Sequence, residues 1–161
     1  MTDETEEIKQ KIYSTFANTA ASLGYSKVHG KIIAALFAMD EPVSLQKLAE
    51  ETGYSSSSIS ISLDFLEVLE MISKVKKSGD RKLYIKLDSN LLEALKRAVI
   101  FKTKKNIKKS LNDFDKYKEK LEKMNPKENK KTLEKLETLE RELEKLKKYI
   151  TMLDNIEIPE D

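Results

Sequence analysis

Residues 44–70 read SLQKLAEETGYSSSSISISLDFLEVLE, and residues 71–87 continue as MISKVKKSGDRKLYIKL. In the first run Ser44 is placed to cap a helix over Leu45 to Thr52, whose Leu45, Leu48 and Ala49 share one inward face. Gly53 ends that helix and supplies the positive φ that a sharp turn needs. Ser55 then caps a second helix reaching to about Glu70, with Ile59, Leu63, Leu66 and Leu69 or Glu70 on its inner side. In the second run Met71 to Lys77 and Lys82 to Leu87 alternate as strands do, and Ser78-Gly79-Asp80-Arg81 between them is a turn sequence. Helix, tight turn, helix and a basic two-stranded hairpin, in that order, are the elements of a winged helix-turn-helix.

Working outward, Ile8, Ile12, Tyr13, Phe16 and Ala20 recur in steps that place them on one face of an amphipathic helix over Thr5 to Leu23. Gly24 ends it and Ser26 is placed to cap Val28 to Met39, which is apolar on most of its circumference and therefore buried. Asp40-Glu41-Pro42 breaks this spine, leaving Val43 room for only a very short strand. From about Ser89 the pattern becomes that of two long helices, divided at Asn125-Pro126, where Asn125 fits the cap and Pro126 the first helical position. In the second of them Leu136, Leu139, Leu143, Leu146, Ile150 and Leu153 alternate steps of three and four, a heptad seam surrounded by glutamate and lysine. These helices are expected to form a long antiparallel hairpin or an intermolecular bundle. The fold expected is mainly α with a small β wing: an interface helix over 1–23, a winged helix-turn-helix over 24–88, and long dimerisation helices over 89–161.

The chain has 161 residues, 36% of them charged, yet its net charge is only +2. Charge is unevenly spread: residues 1–40 sum to −1, 41–88 to −1, 89–124 to +6 and 125–161 to −2. A phosphate backbone would meet these local clusters rather than the net charge. There is no cysteine and one histidine, and neither a glycine-rich phosphate loop nor metal-ligand spacing is present. Nucleophilic, metal and nucleotide chemistry therefore lack their parts, and the chain reads as a non-enzyme without cofactor or metal. No signal-peptide pattern and no long apolar run appears, so a soluble, cytoplasmic protein is expected.

On the second helix, Ser55 and Ser56 lie at the tip, and Ser57, Ser60, Ile61 and Asp64 occupy the side opposite the apolar residues. Short hydroxyls let a helix approach DNA closely and donate to phosphates, while Ile61 suits a thymine methyl. Arginine, asparagine and glutamine, which make bidentate base contacts, are missing from this face, so direct readout is expected to be modest. In the hairpin Lys74, Lys76, Lys77, Arg81 and Lys82 outnumber Asp80, with the lysines suited to phosphates and Arg81, at the tip, to the minor groove. The bland reading is a solvated serine face and an edge hairpin whose lysines discourage aggregation. Lys96, Arg97, Lys102, Lys104, Lys105, Lys108 and Lys109 read chiefly as a solvated stripe or as partners of the acidic helix after Pro126. His29, Tyr25, Tyr54 and Tyr84 are taken as structural.

The run from Tyr54 through the serines to Leu63, then Leu66-Glu67, Leu69, Lys74-Val75 and Gly79-Asp80-Arg81-Lys82-Leu83-Tyr84, resembles the MarR superfamily of regulators, nearest its GbsR branch. The resemblance spans about residues 5–155. It implies a homodimer built on the first and last helices, with Ile8, Ile12, Phe16, Leu136, Leu139, Leu143, Leu146, Ile150 and Leu153 as interface residues. It further implies a pseudo-palindromic DNA operator, read by Ser56, Ser57, Ser60, Ile61 and Asp64 with Arg81 at the wing tip, and a regulator that is a repressor. Glu70 stands where many relatives carry glycine, a departure that implies a longer second helix. The rival reading is a winged-helix and coiled-coil module for protein interactions. A small-molecule effector is left open, since nothing in the sequence places one.

Overall fold

The computed structural model describes residues 3–39, 41–88 and 90–159. Asp40, in the expected helix break, and Ser89, at the expected start of the long helices, lie outside the described residues. The order is α1 (Asp3–Ser22), α2 (Lys27–Phe37), β1 (Val43–Ser44), α3 (Leu45–Thr52), α4 (Ser56–Val68), β2 (Ile72–Lys76), β3 (Leu83–Leu87), α5 (Leu91–Met124) and α6 (Pro126–Asp154). The chain divides into two compact units, Met1–Arg97 and Ala98–Asp161.

In the first unit, serine caps open three helices as their positions imply. Ser26, Ser44 and Ser55 accept from the backbone N–H groups of Val28, Lys47 and Ser58, satisfying donors that a helix start leaves orphaned. α2 is the spine: Ile32, Ile33, Ala34, Ala35 and Leu36 are buried, and it packs against α1, α3, α4 and β3. α1 turns Tyr13 and Ala17 into this core and leaves Ile8 and Ile12 exposed. The sheet runs β1-β3-β2, all antiparallel, with Ile72 opposite Leu87 and Lys76 opposite Leu83. Ile72 and Ile85 are fully buried on the face that meets the helices.

The end of α4 corrects one expectation: the helix does not extend to Glu70 but stops at Val68. Glu70 has φ 55°, the only positive φ of a non-glycine residue in the described chain. Its N–H donates to Glu67 O (2.8 Å) and that of Met71 to Leu66 O (3.1 Å), the two bonds of a Schellman motif. Gly24 closes α1 in the same way, with Tyr25 N bonded to Ala20 O and Gly24 N to Ala21 O. The chain must reverse after α4 because Met71 and Ile72 are buried, and Glu70 accepts the left-handed conformation that glycine usually takes.

The second unit is a helical hairpin. Lys104 pairs with Asp154 and Lys118 with Glu140, so contacts ascend one helix while descending the other, and α5 and α6 are antiparallel. Ile100 and Ile107 from α5 pack with Ile150 from α6, flanked by Leu111 and Leu153. Asn125 caps α6 by accepting from Lys127 N, and Asn129 Nδ2 reaches back to Leu121 O, which fastens the connection. No helix among the described residues is long and apolar enough to cross a membrane.

Candidate nucleic-acid interface

The two-sidedness of α4 builds the site. Ile59, Leu63 and Leu66 are buried to within 2% of their surface, anchoring one face on α2 and α3. The other face, Ser56, Ser57, Ser60, Ile61 and Asp64, is exposed, and Ile61 keeps 73% of its surface open. Ser55 is exposed as well, and its hydroxyl lies 3.1 Å from that of Ser57 and 3.0 Å from that of Ser58, which orders the helix tip. Val68, 75% exposed, continues the stripe of Ile61 and Asp64 by steps of three and four, and the sequence reading overlooked it. Its signal was present in that spacing.

The wing is held by its own side chains. Asp80 accepts from Lys82 N (2.9 Å) and from the hydroxyl of Tyr84 (2.8 Å). These bonds, the backbone N–H of Lys82 foremost, hold the Asp80 carboxyl below its usual range, and the carboxylate in turn pushes the Tyr84 hydroxyl up. Lys77 lies over the Tyr84 ring, 4.5 Å from its centre, and 4.0 Å from Glu41. Lys76, Arg81 and Lys82 are exposed. Tyr84 is thus a structural residue of the hairpin, and Gly79 takes φ 80° at its tip.

Lys74 departs from its expected place among the phosphate-facing lysines. Strand alternation puts it on the same face of β2 as buried Ile72, toward α4, where its ammonium reaches Asp64 (2.5 Å) and Glu67 (2.7 Å). Those carboxylates, Asp64 first, raise its pKa. In the α5 stripe Arg97 donates to Glu70 O and lies 3.6 Å from the carboxylates of both Glu70 and Glu93, while Lys104 serves the hairpin.

The residues assigned to a dimer fall into two groups. Ile150 is buried and Leu136, Leu143 and Leu153 are half-buried, while Leu139 and Leu146 stand exposed with Tyr149. On α1, Ile8 and Ile12 are exposed and Phe16 is half-buried. His29 is half-buried, stacked on Phe65 of α4 at 4.9 Å and edge-on to Tyr25 at 6.2 Å, and burial lowers its pKa. No cluster of histidine, aspartate and glutamate among the described residues could hold a metal ion.

No protein-family model and no curated protein matches the sequence. Among solved structures the chain is similar to a mutant of S. aureus MepR bound to an oligodeoxyribonucleotide, with TM-score 0.44 and 16% identity over 85% of this chain and 93% of that one. It is also similar to a crystal structure described as a transcriptional regulator, with TM-score 0.65 and 20% identity over 91% of this chain and 95% of that one. The likeness to this regulator is one of fold: a mainly helical chain with a small three-stranded antiparallel sheet, arranged as a winged helix-turn-helix with long helices appended.

Proposed function

We propose that the chain is a DNA-binding transcriptional regulator, a homodimeric repressor on a pseudo-palindromic operator, in the manner of the MarR superfamily and its GbsR branch. One observation carries the reading. α4 is anchored by a fully buried face and presents a hydroxyl-rich, exposed face beside a hairpin with exposed Lys76, Arg81 and Lys82. Serine hydroxyls at the helix tip donate to phosphates, Ile61 and Val68 offer apolar contact to thymine methyls, and the wing cations add sequence-independent attraction.

The exposed apolar residues Ile8 and Ile12 of α1, and Leu139, Leu146 and Tyr149 of α6, support a second copy as the partner that covers them. Two reading heads would then meet successive major grooves about 34–36 Å apart on one duplex face. The test is a salt titration of binding to the duplex upstream of the protein's own gene, against a scrambled duplex. Tight, selective and steeply salt-dependent binding is expected. Equal binding to both duplexes would leave a nonspecific DNA binder, and none at low salt would favour a protein-interaction module.

A further inference from the structure

We propose that Lys74 is the residue that makes the recognition helix acceptable to DNA, by offsetting from the neighbouring strand part of the negative charge of Asp64 and Glu67. The inference rests on the DNA-binding reading above and adds to it a positioning residue on a different element.

The problem it solves is visible in the helix itself. α4, Ser56–Val68, contains two acids, Asp64 and Glu67, and no lysine or arginine. Both acids are exposed, Asp64 at 69% and Glu67 at 45% of the side chain. A recognition helix carrying two bare carboxylates and no cation would repel the phosphates on either side of a groove. Like charges at the surface act over about 10 Å at ~0.1 M salt, which reaches across a groove wall.

The cation is imported. Lys74 lies in β2, and the parity that buries Ile72 aims Lys74 at α4. Its ammonium sits 2.5 Å from Asp64 and 2.7 Å from Glu67, one turn apart on the helix, and bridges the two. Only 21% of the Lys74 side chain is exposed, so it is spent on the helix and withdrawn from any phosphate. Across the sheet Lys74 stands in register with Ile85, which is fully buried. The same bridge ties α4 to the wing, so the two DNA-facing elements keep one relative orientation. Lysine suits the task because a compact ammonium can serve two carboxylates at once.

The test measures duplex affinity at about 0.1 M salt for four variants besides the wild-type protein. Lys74→Met keeps the apolar stem and bares both carboxylates; it is expected to weaken binding about tenfold, and more at lower salt. Asp64→Ala with Glu67→Ala removes the acids and frees the cation, and should tighten binding by a larger factor, since the local charge changes by two units rather than one. The triple variant, Lys74→Met with both alanines, should bind more tightly than Lys74→Met, because it is uncharged at the positions where Lys74→Met carries two bare carboxylates. Lys74→Arg should retain binding.

Two results overturn the proposal while leaving the DNA-binding reading intact. A triple variant as weak as Lys74→Met would mean that Lys74 contacts phosphate itself. An Asp64→Ala/Glu67→Ala protein no tighter than wild type would mean that the acids do not repel the DNA. The second arm needs no change at Lys74, so it stands even where Lys74→Met fails to fold. A wild-type protein that binds no duplex would end both readings together.

Discussion

Gly30 and Phe16 meet backbone to backbone where α2 crosses α1: a β-carbon on Gly30 would stand 2.3 Å from the Phe16 carbonyl oxygen and 2.8 Å from the Cα of Ala17. The obstacle is main chain and cannot swing aside as a flexible side chain would. Gly30→Ala is therefore expected to destabilise the first unit by about 2–3 kcal/mol, although alanine is the better helix former by about 1 kcal/mol. Denaturant unfolding decides it. A midpoint equal to or above wild type would show that α1 can shift without loss.

Glu70 points the other way. Its left-handed conformation costs a non-glycine residue on the order of 1 kcal/mol, and the bond from Arg97 goes to its carbonyl, which any residue supplies. Glu70→Gly should raise stability by about 0.5 kcal/mol, part of the relief being offset by glycine's freedom in the unfolded chain. Thermal unfolding that shifts downward would mean that the exposed Glu70–Arg97 ion pair outweighs backbone strain.

At the wing, Arg81 is exposed beyond the turn that Asp80 organises. Arg81→Ala should weaken binding on every duplex and lower the slope of log affinity against log salt by about one, with the oligomeric state unchanged. Unaltered affinity and slope would remove the wing from the interface.

The α6 residues separate hairpin packing from assembly. Leu139→Glu with Leu146→Glu alters exposed positions and should convert a dimer to a monomer with helix content intact, as read by light scattering and circular dichroism. Ile150→Ala should instead loosen the hairpin by about 2 kcal/mol, because Ile150 packs with Ile100 and Ile107. A double glutamate variant that remains dimeric would place the interface elsewhere.

His29 predicts a pH dependence. Burial against Phe65 and Tyr25 depresses its pKa below the ordinary value of about 6.5, so the unfolded chain binds the proton more readily than the folded one. Its contribution is complete above that value and is lost as pH falls below it toward the folded pKa. Between pH 7.5 and 5, His29→Phe should lose less thermal stability than wild type. An equal loss in both proteins would assign the acid sensitivity to other groups.

Much of this molecule was legible because local chemistry dictated it. Ser44, Gly53 and Ser55 sit where backbone donors and a left-handed turn require them, and the helical and strand periodicities sorted Ile59, Leu63 and Leu66 from Ser57, Ser60 and Ile61. Heptad spacing announced α6, but spacing alone treats all six apolar positions alike. Packing against α5 divides them, burying Ile150 and leaving Leu139 and Leu146 exposed. Glu70 was misread for a related reason. A glutamate carries no turn signal, and only the burial of Met71 and Ile72 after it forces the reversal. Lys74 looked like one more wing lysine, since its neighbours Lys76 and Lys77 are the same residue. Sequence fixes which residues share a helix or a strand because period and capping act within a few residues. Which charge answers which depends on how β2 docks on α4, a relation across the core that tertiary packing alone decides.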